Sequence, residues 1–494
     1  MVRLSTTFAS VLVVCMAVST GHGYVGADMT ESPALVWFRR DLRVTDQPTF
    51  LAAGQSTRAL ALFVLDQRLL APAGAPRKSF LYGCLRELDE SLDGRLLVVE
   101  GDPVEVVPRV AREIGADSVH IAADFGPYGR ARDSAVERVL TEQNRALART
   151  GSPYAVAPGR VRSADGGRYR VFTPYRRAWA EHGWRAPADT DGGYLDWIDP
   201  GTVEVEAAPV PDDVPVTAEL PDPGEVAART RWESFVHDHL QDYADGRDRP
   251  DQPGTSRMSV YLKYGCVHPR TLLADLAAEG SDGAHSFRSE LAWRDFYADV
   301  LDQRPDSARR NYDRSYDVLR TDSGPDADRL FTTWKEGRTG FPVVDAGMRQ
   351  LLAEGWMHNR VRMITASFLV KDLHLPWWWG AKHFMRSLVD GDLASNQHGW
   401  QWVAGSGTDA APFFRVFNPV LQGERFDPNG DYVRTYVPEL ADVTGQAVHK
   451  PWTLPDGPPA GYPAPVVDHK RERAEALVRY EAVRESRRRE RGER

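Results

Sequence analysis

The chain is expected to fold as two unlike domains. The first is an N-terminal α/β domain on a doubly wound, parallel, Rossmann-like sheet; the second is a C-terminal domain made only of helices. Three observations predict this. From Ala34 to about Pro158, apolar strand-like runs alternate with helical periods, the pattern of a parallel sheet covered on both faces. From 159 to 224 the chain is rich in Pro, Gly and Asp, as an interdomain linker is. After Glu225, apolar residues recur at three- and four-residue spacing, the signature of amphipathic helices.

The first domain, 32–158, is read element by element. The runs "ALVWFRR" and "RALALFVLD" are buried parallel strands, and "RKSFLYGCLRELDESL" is a helix. Strand "RLLVVEGD", helix "VEVVPRVAREIG" and strand "SVHIAAD" continue the alternation. No GxGxxG or GxxxxGK[ST] follows any strand, so the usual phosphate-cradling loops are absent. The segment "DPGTVEVEAAPVPDDVPVTAELPDPGE" is expected to lie over the surface. In the second domain, 225–473, the segments "VAARTRWESFVHDHLQDYA", "PRTLLADLAAEG", "SFRSELAWRDFYADVLDQ", "VVDAGMRQLLAEG" and "NRVRMITASFLVKDL" are helices. Gly355 is placed to cap the fourth. The charged tail, 474–494, is an Arg/Glu-laced helix expected to be solvated and to fray.

The 494 residues are 42% hydrophobic, enough to bury a sizeable core. A net charge of -9 argues against an indiscriminate nucleic-acid binder, although a local basic groove is independent of net charge. The three cysteines, Cys15, Cys84 and Cys266, show no CxxC spacing. They suggest no metal site and no disulfide scaffold, in keeping with a cytoplasmic protein. Residues 1–28 read superficially as a signal peptide. They are expected instead to be an upstream extension or a wrongly chosen start, and to fold poorly, because a cytosolic α/β pattern begins just after Met29. No other stretch is long and apolar enough to span a membrane.

Several constellations could carry chemistry. In "SELAWRDFY" a helix puts Glu290, Trp293 and Arg294 on one face. They could bind a flat polar ligand, or be a core Trp beside a surface ion pair. In "GWMHNRVRMITASFL", Asn359 and Met363 lie one turn apart while Arg360 and Arg362 point elsewhere. That Asn meets either a ligand edge or the backbone it caps. "PGTSRMS" packs hydroxyls and backbone N–H groups before a helix, which suits a phosphate as well as a simple N-cap. Trp377, Trp378 and Trp379 are consecutive, and three indoles in a row cannot all face one core. The stretch "DGDLASNQHGWQW" gathers acids, amides, His398, Trp400 and Trp402. There is no HExxH, Gly-x-Ser-x-Gly elbow, zinc-deaminase spacing or kinase motif set. Fourteen Trp with amides, acids and Arg but no obvious nucleophile suit a protein whose cofactor does the hard chemistry.

Taken together, "VWFRRDLRVTDQP", "GTSRMS", "ELAWRDFY", "EGRTGFPVVDAGMRQLLAEGWMHNRVRMITASFLVKDL" and "DGDLASNQHGWQWVAGSGTDAAPFFRVFNP" resemble the photolyase/cryptochrome family. The class I cyclobutane-pyrimidine-dimer DNA photolyases of bacteria are the nearest pattern, over about Ala34 to Arg473. The resemblance implies an α/β antenna-chromophore domain, a long linker and a helical FAD-binding domain. It implies light-driven repair of pyrimidine dimers in ultraviolet-damaged DNA, by a monomer. The alternative is a cryptochrome-type blue-light receptor with FAD and no repair activity.

By the same resemblance, Tyr243, Thr255, Ser256, Arg257, Met258 and Ser259 hold the FAD phosphates and ribityl chain. Phe287, Glu290, Arg294, Asn359, Arg362, Asp390, Asp392 and Asn396 complete the cradle. Asn396 falls at flavin N5, where plant cryptochromes carry Asp, and so favours repair. Glu290, Trp293, Asn359, Met363 and Trp402 line the lesion pocket. Arg247, Arg360 and Arg415 are the phosphate contacts at its rim. Trp400 and Trp377 match the first two members of the family's photoreduction chain. The surface Trp expected upstream of Trp334 is missing, which implies an exit through Trp334, Trp378 or Trp379, or inefficient photoreduction. Folate-binding members carry Glu before the "RARD"-like run, where this chain has Gly129. The second chromophore is therefore expected to be of the 8-hydroxy-5-deazaflavin type rather than methenyltetrahydrofolate, with Asp66, Arg77, Asp124 and Lys263 as contacts. His398 is expected to face solvent.

Overall fold

The computed structural model describes residues 32–212, 214–410, 412 and 415–492. The expectation for 1–28, and Cys15 with it, lies outside the described residues.

Five parallel strands, β1 (Ala34–Phe38), β2 (Ala59–Leu65), β3 (Leu96–Glu100), β4 (Ser118–Ile121) and β5 (Ala146–Arg149), form one sheet in the order β3-β2-β1-β4-β5. The register is set by pairs such as Val36 with Ala61 and with His120. β1 and β2 are buried along their whole length, so both faces must be covered; hence their continuous apolar runs. The helices Ala75–Ser91, Pro103–Glu113 and Pro127–Glu142 are among those that cover them. The sequence reading missed β5. It is short, lies at the sheet edge and is nowhere fully buried, so no apolar periodicity marks it.

The strand order reverses beside β1, between β2 and β4. In open parallel sheets the ligand crevice lies at the carboxyl ends of the strands flanking such a point. Here the chain leaving β1 supplies Arg39 and Arg40, and that leaving β4 supplies Asp124.

The span 159–224 departs from a linker merely laid over the surface. It carries the helix Phe172–His182 and a parallel bridge from Trp197 to Ala59. Tyr175, Trp179 and Trp197 are buried in the same cluster as the sheet residues Ala34 and Phe38. Low periodicity hid this, because the segment packs through isolated aromatics.

The helical domain is built around Asp282–Gln303, Pro342–Glu354, Asn359–Ser367, Trp377–Ser387 and Leu393–Ala404. Gly355 ends the second of these in a left-handed conformation (φ 60°), and its N–H donates to the Leu351 carbonyl, as expected of a C-cap. The expectation of a solvated, fraying tail is corrected. His469–Gly492 is one helix that buries Ala476, Tyr480 and Val483. The Tyr480 hydroxyl donates to the Ala404 carbonyl (2.7 Å), and Arg487 pairs with Asp313 (2.9 Å). One apolar residue per turn suffices to dock a helix whose other faces are charged. No helix among the described residues is long and apolar enough to cross a membrane.

Candidate functional site

The predicted cradle assembles around Asp390. Its Oδ2 accepts from Arg362 Nη2 (2.8 Å) and Ser259 Oγ (2.7 Å). Arg362 also donates from Nε to the Met357 carbonyl (2.7 Å). The Trp356 indole lies beneath two guanidinium groups, Arg257 at 4.4 Å and Arg362 at 5.9 Å. Arg257 has a left-handed backbone (φ 57°) and pairs with Glu354 at 2.9 Å. The Thr255–Ser259 turn is fastened by Arg231, which donates to the Thr255 and Ser256 carbonyls, and by the Ser256 hydroxyl, which accepts from Met258 N. Tyr243 and Phe287 back this region in an aromatic cluster, with ring centroids 5.4 Å apart.

Two buried polar atoms here, Asp390 Oδ1 and Trp356 Nε1, have no hydrogen-bond partner. Such groups are costly unless a ligand or water satisfies them. A carboxylate, two arginines, hydroxyls and an indole are suited to a large planar molecule that carries phosphates.

Asp392 N-caps the helix Leu393–Ala404 through Ser395 N (3.0 Å) and pairs with Arg40 (2.8 Å). Burial raises its pKa, but Arg40, Lys263 and Arg294 more than offset this and hold it well below the usual carboxylate range. Asn396 commits its amide NH2 to the Ala381 carbonyl (3.1 Å) and to Gln397 Oε1 (2.9 Å). Its Oδ1 is thereby oriented as an acceptor.

Arg294, also expected in the cradle, is anchored by backbone carbonyls. Its guanidinium donates to the Pro153 (2.7 Å) and Leu262 (3.0 Å) carbonyls and lies over Tyr154. It ties the helix to the domain junction.

The residues expected to line a lesion pocket have the following surroundings. Glu290 pairs with Arg247 at 2.8 Å. Arg360 makes a bidentate contact with Asp248 (3.2 and 2.7 Å) and reaches Met363 Sδ at 3.9 Å. Two of the three expected phosphate contacts, Arg247 and Arg360, are thus already engaged by carboxylates, whereas Arg415 is exposed. Burial drives the Glu290 pKa up and Arg247 pulls it back, leaving it raised. Asn359 is exposed, and Trp293, Met363 and Trp402 are half-buried. His358 N-caps the helix Asn359–Ser367 by accepting from Arg360 N. Burial lowers its pKa to about 4, so it is neutral.

Trp400 is buried, with Phe384 at 5.0 Å and Trp334 at 6.1 Å. Trp334 is fully buried and donates to the Thr365 carbonyl (3.1 Å). It cannot be a surface exit, so that expectation is corrected. Trp377 is buried and meets Trp378 edge-on at 6.0 Å, and Trp378 is 46% exposed.

The expected solvent-facing His398 is also corrected. It is buried, stacked on Tyr297 (5.6 Å) and bonded to Ser307 Oγ (2.9 Å) and the Ala394 carbonyl (2.8 Å). His398 lies on the helix Leu393–Ala404, whose turn aims it at Tyr297 of the Asp282–Gln303 helix.

At the sheet's switch point a second cluster forms. A Cβ at position 129 would stand 2.1 Å from Asp124 Oδ2, so Gly129 makes room for that carboxylate. Arg132 reaches Asp124 at 3.4 Å. Lys263 lies near Arg40, Asp392, Arg77 and Asp124, and burial lowers its pKa to about 7. Asp66 adjoins this cluster through Tyr128, whose ring lies 5.8 Å from the Arg132 guanidinium. It caps a short helix through Arg68 N and accepts from the Tyr128 hydroxyl.

Sequence reasoning missed Arg231, Asp248, Trp356 and Phe172. Trp356 and Asp248 adjoin motifs that were read. Arg231 and Phe172 carry no local signal, because only the fold brings them to the site. Among the described residues, no group of three or more His, Cys, Asp or Glu is placed to hold a metal.

Fold and site define a two-domain protein whose helical half brings together a carboxylate, arginines, hydroxyls and an indole suited to a large, planar, phosphate-bearing group. A family model described as DNA photolyase matches residues 34–191, and one described as the FAD binding domain of DNA photolyase matches 287–482. The chain is 43% identical over 470 residues to the deoxyribodipyrimidine photo-lyase of Streptomyces griseus, covering 92% of this chain and 99% of that protein. Its structure is similar to that of a bacterial class III photolyase from Agrobacterium tumefaciens. The TM-score is 0.85 at 36% identity, over 94% of this chain and 100% of the other. It is also similar to a Synechocystis cryptochrome, with a TM-score of 0.82 at 27% identity, over 91% and 100%. The chain belongs to the photolyase/cryptochrome family, and FAD is the cofactor of its helical domain.

Proposed function

We propose that the protein is a light-driven DNA-repair enzyme, a carbon–carbon lyase that splits cyclobutane pyrimidine dimers in ultraviolet-damaged DNA. FAD, when bound and fully reduced, supplies the light-excited electron that opens the ring and is then returned. The observation that carries this reading is the double use of one helical turn. Arg362 joins the flavin cradle through Asp390, while Arg360 and Met363 face the pocket formed with Asp248, Arg247 and Glu290. Cofactor and substrate sites are thereby held in contact by one rigid element. The relatives named deoxyribodipyrimidine photo-lyase support the same reading.

The chain's own residues then have distinct tasks. The Arg362–Asp390 pair fixes charge beside the flavin. Asn396 offers an amide oxygen that accepts a proton donor without itself titrating. Trp293 and Trp402 stack on the extruded dimer, which is cheaper to flip than an intact pair. Glu290, with its raised pKa, hydrogen-bonds a pyrimidine carbonyl as its own carboxylic acid when the base displaces Arg247. Arg247 and Arg360 reach DNA phosphates by exchanging their carboxylate partners, and Arg415 does so directly. Binding therefore weakens steeply with salt.

For flavin photoreduction, electrons from an external reductant enter at the exposed Trp378 and pass inward through Trp377 and Trp400 to the flavin, with Trp334 and the half-buried Trp379 as a branch. In Trp378→Phe, photoreduction under blue light with a reductant slows; an unchanged rate refutes this route. The space that Asp124 takes beside Gly129 supports a deazaflavin-type antenna over methenyltetrahydrofolate. The enzyme acts as a cytoplasmic monomer.

Repair of dimer-containing DNA under blue light, by wild type and by Glu290→Ala/Trp293→Ala, tests the whole. Wild-type repair that collapses in the double variant is expected. Equal repair refutes the pocket, and a flavin-loaded wild type without repair favours the photoreceptor reading.

A further inference from the structure

The helix Phe172–His182, in the span between the domains, packs along Asp282–Gln303. Tyr175 meets Phe296 at 5.1 Å, and Trp179 Nε1 donates to Asp295 Oδ2 at 2.9 Å. At its first residue and two residues before it, three contacts converge. The Phe172 ring lies face to face on the Trp293 indole, with centroids 3.6 Å apart and planes 9° from parallel. The Phe172 N–H donates to Asp409 Oδ2 (3.0 Å). The Thr408 hydroxyl donates to the Arg170 carbonyl (2.6 Å).

Aromatic pairs left to themselves prefer offset or edge-on contact over a sandwich. The other neighbours of Trp293 do not lie flat on it: Phe296 meets it edge-on at 74° and Tyr297 is tilted at 37°. A parallel stack must therefore be imposed by the backbone that carries Phe172. That backbone is pinned by Asp409, which holds the left-handed region (φ 47°), a conformation rare for a residue other than glycine. Thr408 and Asp409 follow closely on the helix that bears Trp402. One short piece of the interdomain span thus touches both an indole of the substrate pocket and the turn that leaves the helix of its second indole.

We propose that Arg170–Phe172 is a positioning clamp for the substrate pocket. Phe172 covers one face of Trp293 and sets its plane, so that only the opposite face meets a flat ligand. Asp409 and Thr408 fasten the same strap to the turn that follows the helix bearing Trp402. Flat bases are then selected by a pre-set surface rather than one assembled on binding. The inference rests on the reading of Trp293 as part of the pocket for an extruded pyrimidine dimer.

The test compares flavin-loaded wild type, Phe172→Ala, Phe172→Tyr and Asp409→Ala. Each is titrated with a short single-stranded oligonucleotide containing one thymine dimer and with its undamaged counterpart. In Phe172→Ala, preference for the damaged strand falls about tenfold, the size of one lost aromatic stack. Flavin content and affinity for the undamaged strand, which phosphate contacts set, stay unchanged. Phe172→Tyr restores the preference, and Asp409→Ala loses part of it. A full preference in flavin-loaded Phe172→Ala overturns the clamp. Should that variant lose flavin, Asp409→Ala decides, and a full preference there overturns the clamp equally. A wild type with no preference for damaged DNA would instead overturn the pocket assignment on which the clamp rests.

Discussion

Gly380 follows the three consecutive tryptophans and faces the indole of Trp400. In Gly380→Ala the new Cβ would stand 2.1 Å from Trp400 Cη2, 2.6 Å from Cζ3 and 2.7 Å from Leu369 Cδ2. Carbon atoms rest at roughly 3.5–4.0 Å, so the ring would have to retreat by more than about 1 Å. It has little room, since it is buried between Phe384 and Trp334, both edge-on. Overpacking a filled core costs about 1–3 kcal/mol. Replacing glycine within a helix returns up to about 1 kcal/mol. The net expectation is a loss of about 1–2 kcal/mol in urea unfolding of the flavin-loaded protein. Because Trp400 is read as the first electron relay, light-driven flavin reduction should slow as well. Repair by enzyme whose flavin has been reduced chemically beforehand should not, since that reaction bypasses the relay. A variant with wild-type stability and wild-type photoreduction would refute the reasoning.

Three further outcomes are expected. Burial lowers the His398 pKa from 6.5 to about 4, with the Ala394 carbonyl opposing. A depressed folded-state pKa gives stability that is present above 6.5 and lost as pH falls toward 4. The stability gap between wild type and His398→Gln should therefore narrow by up to about 3 kcal/mol over that window, whereas the raised Asp295, Asp345, Asp372 and Asp427 act alike in both proteins; a constant gap would contradict a neutral, buried His398. In Arg247→Ala the Glu290 carboxyl loses its partner and its pKa rises further, so its protonated-carboxyl infrared band should persist to higher pH than in the wild type and be lost in Arg247→Ala/Glu290→Gln. Tyr480→Phe removes the hydroxyl that docks the C-terminal helix on Ala404 and should cost about 1–3 kcal/mol in urea unfolding; no change would return that helix to a solvated tail.

Much of the site was legible because its residues sit in dense local motifs. Glu290 and Trp293 share a helix face by spacing alone, and a left-handed C-cap at Gly355 follows from its place after an apolar period. Other readings failed where the deciding contact is distant in sequence. Trp334 resembles a surface relay and is fully buried. His398 lies in a stretch rich in loop formers, but that stretch is helical and turns the ring onto Tyr297.

By itself, the sequence determined the two-domain order, the parallel sheet, the helical domain and the family, because periodicity and contiguous motifs are written along the chain. Only the tertiary structure decided which charges are already paired, which indoles reach solvent and what backs the pocket. Arg247 finds Glu290, Trp378 rather than Trp334 is exposed, and Phe172 crosses from the interdomain span to lie on Trp293. Such contacts join residues far apart in the chain, where burial and packing act and local spacing carries no information.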